Sequence, residues 1–257
     1  MERRLWSREE LLVALNLYLK LPFGKMHSRN PEVIRLADLL ERSPNAIAMR
    51  LTNFASVDPF QQKRGIKGLT GGIRQVQPIW DEFEHDREAI LFESEQMVAE
   101  LEEQRIETKY AGILQDTRQL EGETRIREVR TRVNQQIFRQ IVLANYSGQC
   151  AISGIDIPGL LVASHIIPWS SNAKERLNPA NGICLSAHFD AAFDKGYLYF
   201  DPNYRLRLSQ KLLNYSDRGY YAGWFGQFEG KQLEMPVKYL PNPEFLEWHR
   251  EHVCRQA

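Results

Sequence analysis

The chain has no long apolar run, few cysteines and no net charge, and each lack narrows what it can be. A helix that crosses a bilayer needs about 18–20 consecutive apolar residues. No stretch approaches that, so neither a transmembrane segment nor a membrane partner is expected. The start, Met1-Glu-Arg-Arg-Leu-Trp6, lacks the apolar centre of a secretory signal, so a cytoplasmic location is expected. The 3 cysteines, Cys150, Cys184 and Cys254, are far apart and odd in number, which fits buried thiols and not a disulfide framework. Lys and Arg together number 33, as do Asp and Glu, so the whole molecule exerts no pull on nucleic acid. Any positive surface for such a partner has to be gathered locally.

It is gathered. Residues 82–107 are rich in Glu, whereas Arg125, Arg127, Arg130, Arg132 and Arg139 crowd one later segment. With 257 residues and 43% hydrophobic content, the chain is long enough for one large or two small cores.

The N-terminal third reads as helical. Ser7 and Glu10 form a capping box, and Leu11, Leu12, Leu15, Tyr18 and Leu19 follow at helical spacing. His27 falls in a loop and reads as solvated. Two short amphipathic helices come next, Pro31 to Leu40 and Ser43 to Ala55, joined by a tight turn at Glu41-Arg42 in the manner of a helix-turn-helix. The second would present Asn45, Met49, Arg50 and Asn53 away from its packed face. Asn and Arg are the side chains that read A and G in the major groove. A Gly-rich stretch with Lys63, Arg64, Lys67 and Arg74 follows and suits close approach to phosphates. A helical packing module with a mobile surface loop is the plainer reading of the same residues.

Trp80 to about Leu120 reads as a charged connecting helix with a thin apolar stripe that keeps no clean heptad. Gln119 to Thr124 reads as a linker. From Arg125 a basic amphipathic helix runs to Tyr146, with Val129, Val133, Ile137, Ile141 and Val142 inward and the arginines outward as candidate phosphate contacts. The domains expected are 1–80, a helical DNA-recognition-like domain; 81–124, a charged helical linker; and 125–257, which holds the chemistry.

That chemistry lies in Leu161 to Asp201. An apolar run Leu160-Leu-Val-Ala163 reads as a strand closing at Ser164-His165-Ile-Ile-Pro168-Trp169, and a polar loop follows. Then come Asn178-Pro-Ala-Asn181-Gly182, a second short strand through Cys184, Ser186 as a helix cap, a helix from Ala187 to Asp194, and Phe193-Asp194-Lys-Gly196. Strand, loop, strand and helix, with His closing the first strand and Asn opening the second, resemble the HNH endonucleases, or ββα-metal nucleases. The fold class this implies is α+β: an N-terminal helix-turn-helix-like domain, a charged connecting helix and a C-terminal ββα-metal domain.

The resemblance implies roles residue by residue. His165 would be the general base and Asn181 would hold the loop that orients it. The third position falls on Asp190, a hard oxygen donor suited to Mg2+ or Mn2+. His188 is the alternative ligand. Asp194 is read as supporting the helix–strand junction by hydrogen bonding. Ser164 stands where many members carry a second metal ligand, and a hydroxyl binds weakly. The two Cys-x-x-Cys pairs of zinc-bearing members are missing, so no structural zinc is expected. The closing Pro241–His249 resembles the final helix of the subgroup with the S-H-I-x-P-W motif, with His249 on its surface.

The function implied is metal-dependent DNA cleavage leaving 5′-phosphate and 3′-hydroxyl ends. A reader fused to a cutter is the layout of restriction enzymes, including those that sense modified bases. A DNA-binding regulator with an inactive HNH unit is the alternative, and a third reading gives the N-terminal module a protein or signalling-nucleotide partner. A double-strand cut needs two sites or two nicks, which leaves a homodimer open.

Overall fold

The computed structural model describes residues 4–254. Part of the stretch Met1–Trp6 therefore lies outside the described residues. The chain divides into two compact units, Met1–Ile141 and Val142–Ala257.

The first unit is helical. Helix α1 (Arg8–Lys20) opens on the expected capping box, with Glu10 N donating to Ser7 Oγ and Ser7 N to the Glu10 carboxylate. Helices α2 (Pro31–Leu39) and α3 (Pro44–Val57) each begin with Pro in the first turn behind an Asn30 or Ser43 cap. Between them Glu41 takes a positive φ of 50°, which makes the turn tight. Asp58 caps α4 (Pro59–Lys63) and also accepts from the buried Tyr18 hydroxyl at 2.6 Å. One carboxylate thus ties α1 to the start of α4.

The single connecting helix expected over Trp80 to Leu120 is several pieces. Helix α5 (Ile73–His85) ends where Asp86 turns out of helical geometry and caps α6 (Arg87–Leu101), accepting from Ala89 N. A four-residue α7 (Ile106–Lys109) and a 3-10 turn at Gln115–Gln119 complete the segment. Nor is it a solvated spacer, because α6 packs along α1 and buries Ile90, Leu91 and Phe92. Residues 81–124 therefore contribute to the core of the first unit, where a charged helical linker was expected.

Glu95 of α6 lies at the centre of that packing, 1% exposed. Lys20 and Lys109 pair with it, the Tyr110 hydroxyl donates to it at 2.8 Å, and Asn16 Nδ2 at 2.9 Å. Burial alone would raise its pKa, but the two ammonium groups outweigh that and hold the carboxyl at about 2.

Helix α8 (Gly122–Asn145) contains the boundary between the units. Its last residue, Asn145, receives the backbone N–H groups of Lys238 and Tyr239 on Oδ1 and donates from Nδ2 to Tyr239 O, all within 2.9 Å. Strand β1 (Leu161–His165) pairs antiparallel with β2 (Gly182–Ser186), placing Ser164 opposite Ile183 and His165 opposite Gly182. Helix α9 (Ala187–Asp194) follows directly and packs on both strands. A second hairpin, β3 (Leu198–Phe200) with β4 (Leu206–Leu208), leads to α10 (Gln210–Leu213), α11 (Tyr221–Trp224) and α12 (Pro243–His249). The molecule is α+β, with a helical N-terminal region and small sheets in the C-terminal unit. No helix among the described residues is long and apolar enough to cross a membrane.

His249 is buried, 2% exposed, where the sequence placed it on a helix surface. Its ring stacks on Phe193 at 3.7 Å, and Nε2 donates to the Phe193 carbonyl at 3.1 Å near the end of α9. The reason lies in Gly196, whose φ is +68° and whose missing Cβ would sit 2.6 Å from Val253 O. Only glycine lets the C-terminal turn close onto the end of α9.

Candidate active site

Strand β1 ends at His165 because the next turn belongs to Pro168 and Trp169. The half-buried imidazole places Nε2 2.9 Å from the Arg176 carbonyl. A carbonyl only accepts, so the proton sits on Nε2 and the lone pair on Nδ1. Burial lowers the pKa of the ring below its usual value, opposed by that hydrogen bond. His165 is therefore neutral at pH 7, as a general base has to be. Trp169 stands edge-on to the ring at 5.6 Å, and the Arg176 guanidinium lies over Trp169 while Nε donates to Trp169 O at 2.7 Å.

Asn181 is 1% exposed and fully engaged. Oδ1 accepts from Ile167 N at 2.8 Å, and Nδ2 donates to the Ile167 and Glu175 carbonyls at 3.0 Å each. Ile166 N donates to the Asn181 carbonyl at 2.9 Å. One side chain thus joins the residues just after His165 to the loop that carries the Arg176 carbonyl.

Asp190 and Asp194 are one turn apart on α9 and so share a face. Partial burial raises the Asp190 carboxyl, and Ser164 opposes that shift. Ser164 is 2% exposed, and its Oγ makes no hydrogen bond of good geometry although it lies close enough to Asp190 to favour the charged form. Burial and the nearby Asp190 charge push the Asp194 carboxyl up to about 6. Among the described residues no hydrogen bond holds Asp194 at the helix–strand junction; its electrostatic neighbour is Asp190.

His188 points elsewhere. Two residues before Asp190, it is about 200° around the helix. Its Nδ1 is 3.2 Å from Ser186 Oγ, and its ring packs against Phe189, Trp224 and Phe225. Cys150 and Cys184 are fully buried, and Cys150 Sγ accepts from Ser153 N.

Among the described residues no three His, Cys, Asp or Glu side chains converge as a metal cage. The donors at hand are the Asp190 and Asp194 carboxylates and the orphaned Ser164 hydroxyl. A hard cation of the Mg2+ type fits such a set, since it keeps several waters and takes its remaining oxygens from a phosphate.

Of the expected DNA contacts, Asn45, Lys63, Arg64, Lys67, Arg125, Arg127, Arg130 and Arg132 are exposed. Arg50 and Asn53 are not. Arg50 is 8% exposed with its guanidinium over the Trp6 ring, and Asn53, 6% exposed, donates to Leu69 O at 2.6 Å. The stretch after Lys63 returns onto α3, with Leu69 N on Thr52 O and Gly68 so close that a Cβ would meet Ser56 N at 2.6 Å. Gly68 serves contact with the protein's own helix, and the returning stretch covers Asn53 while Asn45 and Met49 stay exposed.

Sequence reasoning missed the Arg176 carbonyl, a backbone group with no signature. It also gave Asp194 the wrong neighbour, though the four-residue spacing from Asp190 carried the signal.

Residues 150–201 match the HNH endonuclease family model. The match spans the two strands, Asn181, α9 and the Phe193–Gly196 turn. It implies nuclease chemistry, a phosphodiester hydrolysis on DNA, of a kind that HNH nucleases generally perform with a divalent metal ion. No curated protein matches the chain.

Proposed function

We propose that the chain is a metal-dependent DNA endonuclease in which His165 Nδ1 takes the proton from the attacking water. The observation that carries this reading is the bond from His165 Nε2 to the Arg176 carbonyl, which fixes the tautomer with the lone pair on Nδ1. Asn181 keeps that carbonyl in place by holding the loop from both sides. Trp169 walls the ring and limits its rotation.

Asp190 and Asp194, with Ser164 behind them, are the residues that would hold Mg2+ or Mn2+. A cation held there would supply positive charge to offset the negative charge that builds during phosphodiester hydrolysis. The products are a 5′-phosphate and a 3′-hydroxyl. His188 is left out of the ligand set, because its ring packs on the other side of α9.

The wider role proposed is restriction or defence, with the first unit reading DNA and with sensitivity to modified bases. Its support is architectural, a helical unit joined to a nuclease unit. Asn45 is the exposed candidate for base contact. Lys63, Arg64, Lys67, Arg125, Arg127, Arg130 and Arg132 are the candidates for phosphate contact.

The test is plasmid nicking with Mg2+ or Mn2+, using unmodified and cytosine-modified DNA. Replacing His165 with Ala should lower the rate by about 10²–10⁴-fold while the fold persists. Equal cutting by both proteins would remove His165 from the mechanism. Failure of both on every DNA would leave a DNA-binding protein without catalysis.

A further inference from the structure

Outside the active site, the second unit carries a segment with two distinct sides. Residues 215–228 include Tyr215, Tyr220, Tyr221, Trp224, Phe225 and Phe228. The inner side is anchored. Phe225 and Phe228 stand edge-on to the buried Phe189 of α9, at 6.1 and 5.2 Å between ring centres. The outer side presents Trp224 at 57% exposure, Tyr220 at 50% and Tyr215 at 44%. No side chain crowds the α-carbons of Gly219 and Gly223 between them.

Single exposed aromatics are ordinary, but three within ten residues, in a segment anchored from behind by Phe225 and Phe228, make a surface suited to contact. Trp224 also touches His188, edge-on at 5.4 Å, so the surface is continuous with the helix that carries Asp190. A helix with its side chains is about 10–12 Å across. Trp224 therefore lies within about one helix diameter of Asp190, on the His188 side of α9. Asp217 is paired with Arg218 and Glu229 with Arg207, and Lys211, four residues before the segment, donates to the Lys195 carbonyl.

We infer that Trp224, Tyr220 and Tyr215 form a stacking platform for unpaired bases of the DNA strand. The inference rests on the nuclease reading for its choice of partner. Flat rings with little charge of their own suit bases out of the duplex stack, since every base offers a π-face. A matched duplex hides those faces and offers the platform only sugar and phosphate.

The test is equilibrium binding by the full chain, in EDTA so that nothing is cut, of a labelled single-stranded oligonucleotide and of the matched duplex. Trp224→Ala should weaken single-strand binding on the order of tenfold, leave duplex binding nearly unchanged, and lose as much at high salt as at low salt. Trp224→Phe, which keeps a ring, should retain most of the affinity. The proposal is overturned if the parent ignores single strands, if Trp224→Ala binds them as the parent does, or if both DNAs weaken equally. It is also overturned if Trp224→Ala converts a dimer to a monomer in sedimentation, since the surface then serves a second copy of the chain. Binding is read without cleavage, so a protein that cuts nothing but loses single-strand affinity with Trp224 would sink the nuclease reading and leave the platform.

Discussion

Two carboxylate sites, one in each unit, show opposite ways of treating the same group. Glu95 is almost fully buried, yet two lysines, a tyrosine hydroxyl and an asparagine amide meet it, and its pKa falls to about 2. Asp190 and Asp194 stand one turn apart on α9 instead, no salt bridge joins either to a Lys or Arg among the described residues, and the pKa of Asp194 rises to about 6. A carboxylate surrounded by its counter-charges is finished and can only hold the fold. A pair of like charges one helical turn apart has no such counter-charge built in, and it suits the cation proposed for it. Marked pKa shifts alone therefore do not locate an active site; the direction of the shift and the identity of the neighbour separate structure from function.

The largest way to break this comparison is on the satisfied side. Glu95→Gln keeps the shape but leaves Lys20 and Lys109 with too little negative charge in a buried place. Removing one member of such a group costs about 3–5 kcal/mol, to be read as a lower urea midpoint. The pH dependence follows from the depressed pKa. The native state holds Glu95 ionised where the unfolded chain would protonate it, so its contribution is complete above about 4.5 and is lost as pH falls toward 2. A Gln variant as stable as the parent at pH 7 would mean that the lysines do not depend on Glu95.

The parts of the fold that were legible in the sequence are those with local causes. Ser7 and Ser43 cap helices within a few residues of themselves, the first with a full capping box and the second with Pro in the first turn behind it. The placement of His165 at a strand end, Asn181 in a turn and Asp190 in the first turn of a helix was legible because these elements follow in fixed order. The misreadings all have distant causes. Arg50 and Asn53 looked like outward residues of α3 until Trp6 and the Leu69 loop covered them. His249 looked exposed because nothing in α12 itself announces that its partner is the Phe193 carbonyl. Glu95 passed as one acid among many on a charged helix, since its lysines come from positions 20 and 109. Helical periodicity tells which face is apolar, and it does not tell which polar residue another segment will enclose.

His249 gives a second, smaller test of the buried-and-satisfied class. Burial drives its pKa down to about 4, against the hydrogen bond to Phe193. Between pH 6.5 and 4 the unfolded chain takes up a proton that the native ring refuses, so stability falls as pH falls through that window. At 1.36 kcal/mol per pKa unit the whole span amounts to roughly 3 kcal/mol. A ring-proton NMR titration of His249 should show a midpoint near 4, and His249→Gln should flatten the slope of stability against pH. A midpoint near 6.5 would place the ring in solvent and remove its grip on the end of α9.

The smallest effect is also the sharpest for the comparison, because its sign is reversed. Asp194→Asn removes one of two like charges that gain nothing from each other in the metal-free protein. Asp194 is exposed at its surface, so solvent screens most of the repulsion and the gain in stability should stay below about 1 kcal/mol. The sign still separates the two sites: Gln at 95 destabilises, and Asn at 194 leaves the melting temperature unchanged or raises it slightly. The same variant should lose Mn2+ binding, followed by the electron paramagnetic signal of free Mn2+, whereas His188→Ala should keep it. A destabilised Asp194→Asn protein that still binds Mn2+ like the parent would move Asp194 into the class of Glu95, a carboxylate whose work is to hold its own unit together.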